Sequence, residues 1–88
     1  MITLTAGINN RISEDDKFSA HVYMSMLSFS SADWGDICEE SAVTNSIALE
    51  SLNNGLGGTV LAVYGKGENK IWIIMNEERS TVMFPSEY

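Results

Sequence analysis

Cysteine, proline, histidine and positive charge are all scarce in this 88-residue chain. A lone cysteine, Cys38, excludes an internal disulfide, whereas small secreted domains usually carry several, so a reducing compartment is expected. A lone proline, Pro85, close to the end, leaves no proline-rich linker, and no repeat or low-complexity tract divides the sequence. Long apolar runs are missing, which excludes a membrane-spanning helix from the reading. The opening Met1-Ile2-Thr3-Leu4-Thr5-Ala6-Gly7 lacks the basic and apolar regions of a signal peptide, so a cytoplasmic location is expected. Only 5 Lys and Arg stand against 12 Asp and Glu, a formal net charge of −7. That field repels a phosphate backbone and argues against direct nucleic-acid binding, while it speeds encounter with a basic protein surface.

What is present is the material of one core. Apolar residues make up 44% of the chain and aromatics 9%, enough for a single folded domain over residues 1–88 and too little chain for two. Met1 to Ile8 reads as a short extended lead-in, ended by Gly7 and Asn9-Asn10, with the option of an edge strand. Ser13-Glu14-Asp15-Asp16 has the form of a capping box. Phe18, Val22, Met26 and Phe29 then recur at helical spacing, predicting a helix to about Phe29. Turn formers from Ser30 to Asp36 break the pattern. A second helix is expected over about Ile37 to Leu52, capped by Asp33 or Asp36, with Ile37, Ser41, Ala48 and Leu52 on its buried side. Val60–Tyr64, Ile71–Met75 and Thr81–Phe84 read as three strands joined by polar turns, a β-meander. The expected fold is therefore α+β, two helices packed on a three-stranded antiparallel meander. Ile71–Met75 is apolar throughout, which predicts a central strand buried on both sides or covered by a partner.

The densest polar cluster is Asp33, Asp36, Glu39 and Glu40, the last three sharing one helical face. One reading is a solvated helix start whose acids answer the helix dipole. A second is a row of charge at about 5–6 Å spacing that imitates phosphates and binds a basic partner, extended by Glu14, Asp15 and Asp16. Neither the spacing of a calcium loop nor a paired His-Glu motif is present, so no metal and no cofactor are expected. His21 flanks the apolar stripe of the first helix and reads as structural. Cys38 is followed by two acids that oppose a thiolate and reads as inert packing. Trp34 is either an anchor of its loop or a binding hot spot. Arg79 is expected to pair with a carboxylate across the fold.

Three stretches also resemble a known family: Leu4-Thr5-Ala6-Gly7-Ile8-Asn9, then Asp33 through Glu40 with Asn45 and Ala48-Leu49, and Lys70 through Ile74 with Arg79-Ser80-Thr81 and Phe84-Pro85-Ser86-Glu87-Tyr88. Together they are similar to small proteins carried on plasmids and other mobile elements and described only as plasmid-related. The chain departs from that pattern at Ser41, where an acid is usual, and at Met75-Asn76, where Thr-Glu is usual. The resemblance implies a genomic context in which small acidic proteins block host defence, as anti-CRISPR and anti-restriction proteins do. The leading expectation is a non-enzymatic inhibitor whose partner-binding residues are Asp33, Trp34, Asp36, Glu39 and Glu40, with Glu14, Asp15 and Asp16. Its partner would be a basic nucleic-acid-handling host protein, a CRISPR or restriction effector. The competing expectations are a small carboxylate-based or metal-dependent enzyme using His21, and an accessory homodimer closed over the exposed face of its sheet.

Overall fold

Along the strands that lie between Val60 and Met83 the side chains alternate between two environments, as they must on a pleated strand. The computed structural model describes residues 2–88; Met1, the first residue of the expected lead-in, lies outside them. Strands β2 (Val60–Tyr64), β3 (Ile71–Met75) and β4 (Ser80–Met83) form the antiparallel meander, with Ala62 beside Ile73 and Ile73 beside Val82. A further strand, β1 (Ile2–Leu4), lies parallel to β4, so the sheet is four-stranded and mixed, in the order β1-β4-β3-β2.

Among the described residues three α-helices accompany the sheet, one more than the sequence pattern suggested. The additional one is α1 (Ala6–Glu14), in a stretch whose Gly7 and Asn9-Asn10 look like chain breakers. Its supports are Thr5, whose hydroxyl accepts from Ile8 N–H at 3.4 Å, and the inward pair Ile8 and Ile12 at a spacing of four. Its last support comes from the other end of the chain. The Glu87 carboxylate accepts from the Thr5 hydroxyl at 2.7 Å and from Phe84 N–H at 2.9 Å, and reaches Gly7 N–H at 3.3 Å. A Cβ on Gly7 would sit 2.6 Å from that carboxylate, so the glycine here makes room for an anion at a helix start.

Helix α2 (Asp16–Ser30) starts two to three residues later than the apparent capping box. Ser13 belongs to α1, where its hydroxyl donates to the Asn10 carbonyl. Asp15 is the real cap, its carboxylate accepting from Lys17 and Phe18 N–H at 3.0 and 3.1 Å. Helix α3 (Glu39–Asn53) has Cys38 at its cap position, and neither Asp33 nor Asp36 caps it. Its buried residue is Asn45, with Ala42, Ala48, Leu49 and Leu52 turned to the core; Ser41, expected inside, is exposed, and Ile37 precedes the helix.

The core lies between one face of the sheet (Val60, Ala62, Tyr64, Ile71, Ile73 and Val82) and Ile8, Phe18 and Val22 of the helices. Burial of each such aliphatic side chain contributes about 1.5–3 kcal/mol. The alternate residues, Leu61, Val63, Trp72, Ile74 and Met83, are half-buried and point away from that core. Strand β3 is thus central, but helices cover it on one face only, which corrects the reading of burial on both sides. Arg79 is also placed differently from expectation: it is exposed, 3.9 Å from its neighbour Glu78, and contacts no carboxylate across the fold.

As the outermost strand, β2 turns the polar groups of Leu61 and Val63 away from β3. The Asn45 carboxamide meets the first pair, donating to Leu61 C=O at 2.7 Å and accepting from Leu61 N–H at 3.2 Å. The loop before α3 meets the second: Val63 N–H donates to Trp34 C=O at 3.0 Å and Asp36 N–H to Val63 C=O at 2.7 Å.

Two predictions follow from these contacts. Asn45→Ala strands a buried amide and carbonyl, and urea denaturation should show a loss of about 2–3 kcal/mol. Burial opposes ionisation of Glu87, but the Phe84, Thr5 and Gly7 donors together hold its carboxyl below the ordinary value. A depressed folded value contributes stability above the unfolded value of about 4.3 that is lost as pH falls through the folded one. The thermal midpoint of the wild type should therefore drop more steeply below about pH 4.3 than that of Glu87→Gln.

Candidate protein-interaction surface

The loop 31–38 carries three of the expected contact residues, Asp33, Trp34 and Asp36, and a hook on β2 fixes its shape. Gly35 bridges to Val63 in parallel, at a positive φ of 76°. A Cβ there would fall 2.0 Å from the Val63 carbonyl, so only glycine allows the approach. Trp34 is 6% exposed, edge-on to Phe29 at 5.4 Å between ring centroids, and anchors the loop in the core. Burial thus separates the two roles open to Trp34: it positions the surface and is not itself presented to a partner. Asp33 closes the turn, its carboxylate accepting from Gly35 N–H at 3.2 Å and its carbonyl from the Tyr64 hydroxyl at 2.6 Å. Burial, reinforced by the charge of Asp33, pushes the Tyr64 hydroxyl well above its ordinary value, so it remains a neutral donor.

Around this frame Asp33, Asp36, Glu39 and Glu40 are all exposed. The ion pairs found among the described residues are Arg11 with Asp15 and Arg79 with Glu78, so these four carboxylates face water without a cation. Glu39 and Glu40 occupy the first turn of α3, where the helix dipole favours them, and border a broad, shallow depression of about 590 Å³ with Val43 and Thr44. Among the described residues no three His, Cys, Asp or Glu side chains stand close enough to hold a metal ion.

Glu14, Asp15 and Asp16 do not extend this surface. Glu14 ends α1, Asp15 caps α2 and Asp16 opens it, whereas Asp33 lies beyond the far end of α2, a 15-residue helix about 22 Å long. Asp15 is also engaged: the Phe18 N–H, with Lys17 N–H and Arg11 assisting against partial desolvation, holds its carboxyl below the ordinary value. Glu14 and Asp16 are exposed.

His21 lines a groove of about 340 Å³ with Ser25, Asp36 and Tyr64. Its Nε2 lies 2.8 Å from the Asn69 carbonyl, which can only accept, so this nitrogen carries the proton and ties α2 to the β2–β3 hairpin. Asn69 also accepts from Arg11 through its side chain at 2.8 Å, making it the clasp of that hairpin.

Cys38 is not inert packing. It is exposed at the start of α3, its Sγ 3.2 Å from the Ser41 hydroxyl, and hydrogen bonds from the Ser41 side chain and backbone lower its thiol despite the two neighbouring acids. Proximity to a helix start was the legible signal. The roles of Asn45 and Gly35 were not legible, although both fall in the stretches that carry the family resemblance: what each meets is the backbone of β2.

The chain matches no family model, no curated protein and no solved structure. No helix among the described residues is long and apolar enough to cross a membrane.

Alkylation of Cys38 by iodoacetamide near pH 7.5 should be faster in the wild type than in Ser41→Ala, and the pH midpoint of the reaction should rise in the variant.

Proposed function

We propose that the protein is a non-catalytic, mobile-element-encoded inhibitor of host defence that binds the basic nucleic-acid channel of a CRISPR or restriction effector through Asp36, Glu39 and Glu40, with Asp33 shaping the turn beneath them. The observation that supports this most is the set of exposed carboxylates without cationic partners, presented from a backbone hooked to β2. Binding surfaces that compete with nucleic acid need fixed negative charge more than a cavity, since the partner's own Lys and Arg residues supply the recognition. The net charge of −7 adds long-range attraction, and the family resemblance supplies the biological setting. Inhibition on this reading is steric and electrostatic, with no bond made or broken.

Tagged protein should co-purify, at low salt, with a nucleic-acid-binding effector from a host that carries CRISPR and restriction systems, and salt should release it. Reversal of Asp36 and Glu39 to Lys should weaken binding about tenfold or more. Retention that ignores both salt and charge reversal would sink the proposal.

A further inference from the structure

An antiparallel sheet with helices on one face ordinarily alternates, apolar inward and polar outward. This sheet does not. Its outer positions are Leu61 and Val63 on β2, Trp72 and Ile74 on β3, Thr81 and Met83 on β4, and the register places them side by side: Leu61 by Ile74, Val63 by Trp72, Trp72 by Met83. Tyr88, 82% exposed, stands edge-on to Trp72 at 5.7 Å and extends the surface. No charged residue occurs in any of the four strands. The acids lie outside the strands: in the loop at the β2 edge, on the helices and their junctions, in the β2–β3 and β3–β4 turns, and at Glu87, which is engaged with Thr5 and Phe84.

We propose that this open face is the interface of a homodimer, two copies stacked sheet on sheet about a two-fold axis. Charge selects the occupant. A basic partner finds nothing here to pair with, whereas a chain of net charge −7 can approach its own copy only over a surface free of charge, and this is one. Geometry agrees. The three strands that carry these positions, β2, β3 and β4, are four or five residues long and lie about 4.8 Å apart, a footprint of about 14 by 17 Å that suits face-to-face packing at about 10 Å. With Tyr88 included, the face lies at the lower limit of area for a specific interface, so the dimer is a weak one whose population depends on concentration. The proposal is independent of the acidic face, and salt separates the two: screening weakens capture of a basic partner but relieves repulsion between two anionic copies.

Sedimentation equilibrium of the wild type over about 1–200 µM, at about 50 and 500 mM salt, reads this directly. The expected result is a dimer fraction that rises with concentration and is larger at high salt. Ile74→Lys should be monomeric throughout, with an unchanged far-ultraviolet circular dichroism spectrum. Should that variant unfold, Thr81→Arg places a charge on the same face at a polar position and should also abolish the dimer. A wild type that stays monomeric at the highest concentration in both salts overturns the proposal, including the case in which Ile74→Lys loses a co-purifying foreign protein. A dimer that survives both substitutions overturns it too, and moves the interface to another surface such as Tyr23, Met24 and Leu27 on α2.

Discussion

An outermost strand exposes a row of amides and carbonyls, and those of β2 are met by one side chain and three residues of loop. The Asn45 carboxamide serves Leu61 and the Trp34–Asp36 backbone serves Val63, so β2 is paired on both sides although the sheet ends with it. Much else depends on this arrangement. It holds α3 against the edge of the sheet, since Asn45 is the buried point of that helix, and it sets the loop that carries the acids. Gly35 is the residue that lets the loop come so near, and Trp34 is the weight that keeps it there.

The same arrangement separates two kinds of surface. Around the β2 edge the protein is polar and anionic, with its carboxylates spread over a rigid turn and the first turn of a helix. The outer face of the sheet is apolar and uncharged. Edges are where sheets add foreign strands, and here the β2 edge is closed by side chain and loop while β1, at the other side, is only three residues long. Any association of the sheet is thereby directed away from strand addition and toward face contact. Charge and apolar surface, kept apart in this way, can serve different partners without interfering.

The strands from Val60 onward were legible because β-branched and aromatic residues alternate there and polar turns bound them. Helix α2 was legible because Phe18, Val22 and Met26 recur at fixed spacing. At the N-terminus the edge strand was open as an option and β1 fills it, but α1 was not legible, because it depends on Glu87, which lies 82 residues from Thr5. A local reading of Gly7 and Asn9-Asn10 gives a turn, and the tertiary contact overrides it. The clustering of Asp33, Asp36, Glu39 and Glu40 was plain, but their freedom from cations was not; Arg79 looked like a partner and stays with Glu78. Asn45 was hidden for a related reason. Its partners are backbone atoms of an edge strand, and backbone atoms leave no mark in a sequence.

The Glu87 clasp also bears on the order in which the protein acquires its shape. Helix α2 and the β2–β3 hairpin join neighbours in the chain and can form from short pieces. The clasp and the β1–β4 ladder each close a loop spanning nearly the whole domain, and loop-closure entropy, which grows with the logarithm of length, delays them. The β2–β3 hairpin and α2 can therefore form before α1 is completed. Until these distant contacts close, the first turn of α1 lacks the Glu87 anion and β1 lacks its ladder with β4, so both elements are the last to settle.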